Sequence, residues 1–152
     1  EMKKIQWDFI TGNPTSPVSI DIAQNMIFEL QDKLVEKEYL SAKLYYDLGS
    51  YTGNSAMSST GNNYLAAVIT AQNILKDYPY TKLREDLSIL ILRAKYDMAR
   101  ESVPEKKEER MRDAIDEYYA FKNEFPESKY SNEVENIFKE ASKYVGSVEE
   151  DY

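Results

Sequence analysis

The sequence contains no cysteine and no histidine. The absence of cysteine excludes disulfides and thiolate zinc sites, and the absence of histidine removes the commonest general base and a frequent metal ligand. Glycine and proline number only five each among 152 residues, which leaves little material for the turns of a β-rich fold. No run approaches the roughly 18 consecutive apolar residues of a membrane span. These absences favour an all-α domain without a metal ion or cofactor.

Catalysis or cation binding would have to rest on carboxylates, since no histidine or cysteine is present. The sequence has four acidic clusters: Glu85-Asp86, Glu108-Glu109, Asp113-Asp116-Glu117 and Glu149-Glu150-Asp151. None alternates carboxylates around a central glycine as a calcium-binding loop does, and carboxylates on a charged helix are usually solvated. The chain is therefore predicted not to be an enzyme. Its net charge of -8 also disfavours nucleic acid as a partner, because the averaged field repels phosphate.

Apolar residues recur at spacings of three and four along most of the chain, which predicts amphipathic helices. Gly49, Pro79, Pro126 and Gly146 supply stop signals, and Pro104 supplies a start. The first helical stretch carries two consecutive apolar stripes, so it is either one long helix or two helices joined by a kink near 36–38. Residues 50–62 predict an exposed insertion loop, and residues 146–152 predict a frayed tail. The predicted helices cover about 19–49, 63–78, 82–101, 104–125 and 131–145.

An internal repeat gives the most specific signal in the sequence. A shift of 47 residues aligns Ile74 with Phe121 and Ala94 with Ala141, and it places the two helix-ending prolines together. A weaker third copy at an offset of 65 begins at Phe9. The repeat predicts a single domain of stacked helical hairpins with junctions near 13–18, 78–83 and 125–130. The register requires each aligned pair to be equally buried.

The sequence also resembles two known groups of proteins. Ala42, Tyr45 and Gly49, with Ala66 and Ala67 after the insertion, resemble the tetratricopeptide pattern of helix pairs. More specifically, the segments 30–34, 42–46, 74–81 and 84–87 resemble the BamD family, the tetratricopeptide lipoproteins that assemble β-barrels in the bacterial outer membrane. That similarity covers roughly residues 16–102, and 104–145 looks like the family's last repeat. The resemblance suggests that the chain is the C-terminal portion of a longer protein.

The BamD resemblance implies a noncatalytic scaffold at the periplasmic face of the outer membrane. Its implied partners are protein subunits of the assembly complex, including the barrel-forming subunit. Membrane contact would come only through a lipid anchor that this chain does not contain. The alternative is a peptide-clamp tetratricopeptide module or co-chaperone. Such clamps usually carry Lys, Arg and Asn on their inner faces, whereas the corresponding stretch here offers mainly Lys43 among Tyr and Leu residues.

The 13 tyrosines provide candidate contact residues, because tyrosine is enriched at protein interfaces. Tyr45, Tyr78 and Tyr118 fall on predicted buried stripes, which favours packing for all three. For the other candidates, which lie off these stripes or beside the insertion, docking and packing are equally open. This second set consists of Tyr46, Tyr51, Tyr64, Tyr80 and Tyr119. An insertion in a repeat protein often marks a working face, so Tyr46, Tyr51 and Tyr64 are expected to share one edge.

Overall fold

The computed structural model describes residues 17–49 and 63–150. Within these residues the chain forms only helices and turns, which confirms the all-α prediction. The insertion loop at 50–62 and most of the first repeat junction lie outside the described residues. The helices are α1 (Pro17–Leu48), α2 (Asn63–Asp77), α3 (Arg84–Arg100), α4 (Pro104–Glu124) and α5 (Ser131–Glu150).

Each helix packs against its neighbours along the chain, and α3 lies at the centre of the stack. One face of α3 meets α1 and α2 in a core that contains Leu87, Leu90 and Ala94. The other face meets α4 and α5 in a second core built around Ile89 and Leu92. This arrangement is a stack of helical hairpins, because an amphipathic helix pair buries both of its faces only against further helices. The right-handed sense that we expect for this stack stays a prediction.

The backbone hydrogen bonds at the two junctions between hairpins repeat with the predicted shift of 47 residues. The Tyr78 amide donates to the Ile74 carbonyl at 2.8 Å, and the Phe125 amide donates to the Phe121 carbonyl at 2.8 Å. Four further hydrogen bonds from backbone amides recur with the same shift, one of them to a hydroxyl side chain. The equivalent donors are Thr81 with Ser128, Leu83 with Tyr130, Arg84 with Ser131, and Leu87 with Val134. The shared geometry shows that these two segments are copies of one structural unit.

Side-chain burial supports the same register. Ile74 and Phe121 are both buried, and Ala94 and Ala141 are both inaccessible to solvent. In each copy a hydroxyl side chain accepts the amide hydrogen two residues later, at 3.2 Å for Thr81 and 3.0 Å for Ser128. Such bonds favour a turn over continued helix, which explains why a proline followed by a hydroxyl residue recurs here. The predicted equivalence of the two pairs is confirmed.

The first helix is one continuous element, so the kink that remained open near 36–38 does not occur. Only the second of its two apolar stripes supplies the α1 contribution to the core, through Val35 and Ala42. The helix ends at Gly49, whose φ of +28° and amide bond to the Tyr45 carbonyl give the predicted exit. Tyr45 itself is exposed, so the packing predicted for it is wrong. The spacing of three and four residues alone does not show which stripe meets α2.

The last helix is longer than the sequence predicted. It continues through Gly146 to Glu150, so the frayed tail expected over 146–152 is wrong for the residues that the structure describes. Val145 is buried on this helix, and Arg112 of α4 forms a salt bridge of 2.8 Å with Glu149. A Cβ added at Gly146 would meet no atom within 4 Å, so the glycine faces open space. Tertiary contacts on both sides of Gly146 therefore extend the helix past a residue of low helical propensity.

Candidate protein-binding surfaces

Tyr46 and Tyr64 lie together, as the sequence predicted, but both take part in packing. Their ring centroids are 5.8 Å apart, and the Tyr64 side chain is largely buried, with 8% of the residue exposed. The Tyr46 hydroxyl donates a 2.6 Å hydrogen bond to Asp97, and the Tyr64 hydroxyl donates one of 3.2 Å to Glu101. Burial, together with the hydrogen bond to Asp97, raises the pKa of Tyr46 well above its ordinary value. These contacts join the first hairpin to α3.

The other three candidate tyrosines differ in their surroundings. Tyr80, in the turn between α2 and α3, is 98% exposed. Tyr119 is 56% exposed on α4, and its ring makes an edge contact with Phe138 at 5.6 Å. Tyr51 lies outside the described residues. Tyr80 and Tyr119 are therefore the members of the predicted set whose rings are available to a partner, while Tyr118, predicted to pack, is buried.

Most of the exposed large apolar residues of the described chain lie on α1, and one row of them contains no tyrosine of the predicted set. We call it the α1 stripe. Between 39% and 63% of each of its residues is exposed, although all of them are large and apolar. Monomeric soluble proteins rarely leave so many large apolar residues uncovered on one helix. The α1 stripe consists of Ile20, Ile27, Leu30, Leu34, Leu44 and Leu48.

The opposite end of the stack has a different surface. Among the described residues of α5, no large apolar side chain is exposed, and the outward positions include Lys139, Glu140 and Lys143. A terminal helix of a repeat stack needs such a polar outer face to remain in contact with water. The α5 end therefore has the features of a cap, and the α1 end does not.

Several members of the acidic clusters form ion pairs or hydrogen bonds with other parts of the stack. Asp86 accepts a 2.5 Å hydrogen bond from the Tyr130 hydroxyl, and Glu85 accepts one from Ser128. Lys95 lies between Glu117 at 2.8 Å and Asp113 at 3.5 Å. Burial of Lys95 is the largest single effect and disfavours its charge, but the hydrogen bonds and charges of Glu117 and Asp113 together outweigh it and raise the pKa of the lysine. In the part of the chain that the structure describes, no group of three carboxylates could hold a metal ion.

A shallow groove crosses the surface between α3 and α5. Its lining includes Tyr96, Ile137 and Glu140. Glu133, on the same wall, is held by two hydrogen bonds of 2.5 and 2.7 Å from Arg93. The groove thus presents acidic side chains around an apolar floor, which does not suit the carboxylate of a captured C-terminal tail.

Comparisons with known proteins leave the family unassigned. No protein-family model matches the chain, and no curated protein is significantly similar to it. None of the helices over 17–49 and 63–150 is long and apolar enough to cross a membrane.

Proposed function

We propose that the chain is a noncatalytic scaffold subunit of the outer-membrane β-barrel assembly machinery, which binds partner proteins at the periplasmic face. The observation that carries the proposal is the repeated junction, in which one set of hydrogen bonds recurs after 47 residues. Stacks of such hairpins present extended surfaces that generally bind other proteins. Two of the BamD-like segments, 74–81 and 84–87, lie at and directly after the junction at 78–83. The resemblance of these segments to the BamD family suggests the barrel-forming subunit as the partner.

Tyr80 and Tyr119 are the proposed contact residues. Both rings are exposed, and tyrosine can bury a large apolar area with little loss of side-chain entropy when a partner binds. Tyr80 lies in the same turn as the repeated proline, next to Lys82, which forms a 3.3 Å salt bridge with Asp32 of α1. This exposed ion pair connects the turn to α1, in addition to the backbone hydrogen bonds of the junction.

Copurification with the barrel-forming subunit tests the proposal. We expect the parent chain to retain that subunit, and Tyr80→Ala combined with Tyr119→Ala to weaken the complex roughly tenfold or more, as loss of central aromatic contacts does. Tyr45→Ala is the matched control, because Tyr45 is also exposed but lies outside the proposed contact set. Failure of the parent chain to bind would contradict the scaffold function. Equal binding by the folded double variant would exclude only these two residues.

The peptide-clamp alternative predicts a different result. A clamp would bind an isolated peptide in the groove beside Ile137, and Asn136→Trp, a bulky change at an exposed residue of its lining, would block that binding while leaving the complex with the barrel-forming subunit intact. Titration of a peptide that ends in a free carboxylate, followed by fluorescence anisotropy, separates the two functions.

A further inference from the structure

The groove between α3 and α5 is a surface that the proposed scaffold function does not use. Tyr96 of α3 forms one side of the groove, and α5 forms the other. The α5 residues in its lining follow one another at spacings of three and four, so they share one face of the helix. They are Glu133, Asn136, Ile137 and Glu140. The groove has a volume of about 370 Å³ and is open to solvent, so it suits side chains that project from a partner protein.

The two charged residues in this lining are both glutamates, and they differ in how their charge is met. Glu133 accepts two hydrogen bonds from Arg93, so its charge is already compensated. Glu140 is exposed, and it forms no salt bridge within residues 17–49 and 63–150. Lys143, one turn further along α5, is not part of the lining. The groove thus offers the Glu140 carboxylate to a cation from another molecule.

Tyr96 adds an aromatic surface to the same groove. Arg100 lies over its ring, with 5.9 Å between the guanidinium carbon and the ring centroid, and forms a 3.0 Å salt bridge with Asp97. Burial raises the pKa of the Tyr96 hydroxyl, Arg100 opposes this shift, and Glu140 adds to it. The charge of Glu140 therefore acts at the ring.

The chain itself shows twice how an arginine binds to such a pair of groups. Arg93 lies over the Tyr130 ring at 5.2 Å while it is bound to Glu133. Arg100 makes the corresponding pair of contacts with its own tyrosine and aspartate. In both cases the guanidinium contacts an aromatic ring and its charge is met by a carboxylate.

Arginine fits the groups of the groove better than lysine does. A guanidinium is planar, so it can stack on the Tyr96 ring and give two parallel hydrogen bonds to one carboxylate. Its aliphatic stem can pack on apolar surface such as the exposed part of Ile137, and the Asn136 amide can bond the backbone of an extended segment. An acidic tail or a phosphate would instead be repelled by Glu140.

We propose that the groove between α3 and α5 binds an arginine-bearing segment of a partner protein, with the guanidinium on the Tyr96 ring and paired with Glu140. The net charge of -8 attracts such a segment to the chain, and the groove determines where it binds. The inference does not rest on the proposed function, because Tyr80 and Tyr119 are not part of the groove and its chemistry requires no particular complex.

A labelled peptide of alternating leucine and arginine, blocked at both ends, is the probe. The full chain is titrated into it, and fluorescence anisotropy reports binding. A second peptide carries citrulline, which keeps the shape of arginine without its charge, and a third carries lysine. We expect saturable binding of the arginine peptide, roughly tenfold weaker binding of the citrulline peptide and intermediate binding of the lysine peptide. These comparisons leave the protein unchanged, so they do not depend on the folding of a variant.

Variants of the chain then locate the contact. Glu140→Gln should weaken binding of the arginine peptide about fivefold, the upper range for an exposed ion pair. Glu127→Gln is the matched control, because Glu127 is also exposed, lies in the turn before α5 and changes the net charge equally. Asn136→Trp should abolish binding, since the larger side chain fills the groove. Each variant should keep the helical circular dichroism of the parent chain.

Four results would overturn the inference. The first is the absence of saturable binding by the arginine peptide. Equal effects of Glu140→Gln and Glu127→Gln would mean that only the net charge attracts the peptide. Equal binding of the arginine and citrulline peptides would mean that apolar contact alone suffices. Competition by arginine amide as effective as that by the unlabelled peptide would identify a small cation as the ligand. All these assays omit the barrel-forming subunit, so their outcome is separate from that of the copurification test.

Discussion

The Tyr46 hydroxyl lies 2.6 Å from the Asp97 carboxylate, although 51 positions separate the two residues in the sequence. The bond joins α1 to the central helix at a partly buried site, and Asp97 also forms a 3.0 Å salt bridge with Arg100. Removal of the hydroxyl would leave the carboxylate without its partner from α1. The first hairpin is thus attached to the rest of the stack by a polar contact as well as by apolar packing.

Tyr46→Phe should lower the free energy of unfolding by about 1–2 kcal/mol, because a hydrogen bond to a charged group is lost while the ring is kept. Urea unfolding at neutral pH, followed by circular dichroism, measures the change. Tyr45→Phe serves as the control, since that ring is exposed, and it should alter stability by less than about 0.5 kcal/mol. Equal effects of the two substitutions would contradict the assignment.

The same contact should make stability depend on alkaline pH. Because the folded state raises the pKa of Tyr46, the folded protein retains a proton that the unfolded chain loses near pH 10. Its contribution is complete below about pH 10 and is lost as the pH rises further. The free energy of unfolding should therefore fall above that pH, and less steeply in Tyr46→Phe. Tyr39 and Tyr130 also have raised pKa values in the folded protein, so part of the decrease in the free energy of unfolding with pH remains in Tyr46→Phe.

Equivalent positions of the repeat should respond equally to truncation. Ile74→Ala and Phe121→Ala each remove a buried side chain at the same point of the junction, and each should cost about 3–4 kcal/mol of stability. Thermal unfolding monitored at a helical band provides the comparison. Tyr80→Ala, six residues from Ile74 but fully exposed, should change stability by less than about 0.5 kcal/mol. A large difference between the two core variants would mean that the copies are not energetically equivalent.

Two glycines should respond in opposite directions to alanine. Gly146→Ala should stabilise the chain by about 0.5–1 kcal/mol, because the residue is helical and a Cβ meets no atom there. Gly49→Ala should destabilise it by about 1–2 kcal/mol, since φ is positive and the Cβ would lie 2.5 Å from the Tyr64 ring. Melting temperatures of the two variants relative to the parent chain test both signs. Stabilisation by Gly49→Ala would contradict the turn geometry.

The junctions could be predicted from sequence because their signals are local. A proline followed two residues later by Thr81 or Ser128 specifies the end of one helix and the hydrogen bonds of the turn. The end of α5 could not be predicted, because the local stop signal at Gly146 is overcome by contacts of Val145 and Glu149 with distant residues. The periodicity of α1 likewise shows where apolar side chains occur, but only the fold shows which of them meet α2.

The candidate surface was predictable only in part. The sequence indicated which tyrosines lie off the buried stripes, and among those described the fold leaves Tyr80 and Tyr119 exposed. It could not indicate that Tyr46 and Tyr64 find Asp97 and Glu101, because these partners are 51 and 37 positions away. The pairing of an aromatic hydroxyl with a distant carboxylate depends on how two helices cross, and no local pattern encodes that crossing.

The nearest-neighbour packing of the five helices has a consequence for how the protein opens. Since α1 and α5 each contact mainly the adjacent helices, either terminal helix can detach while the three central helices stay folded. Local loss of structure would then begin at the two ends, at free energies below that of global unfolding. Amide hydrogen exchange should accordingly be slowest in α3 and fastest in the first turns of α1.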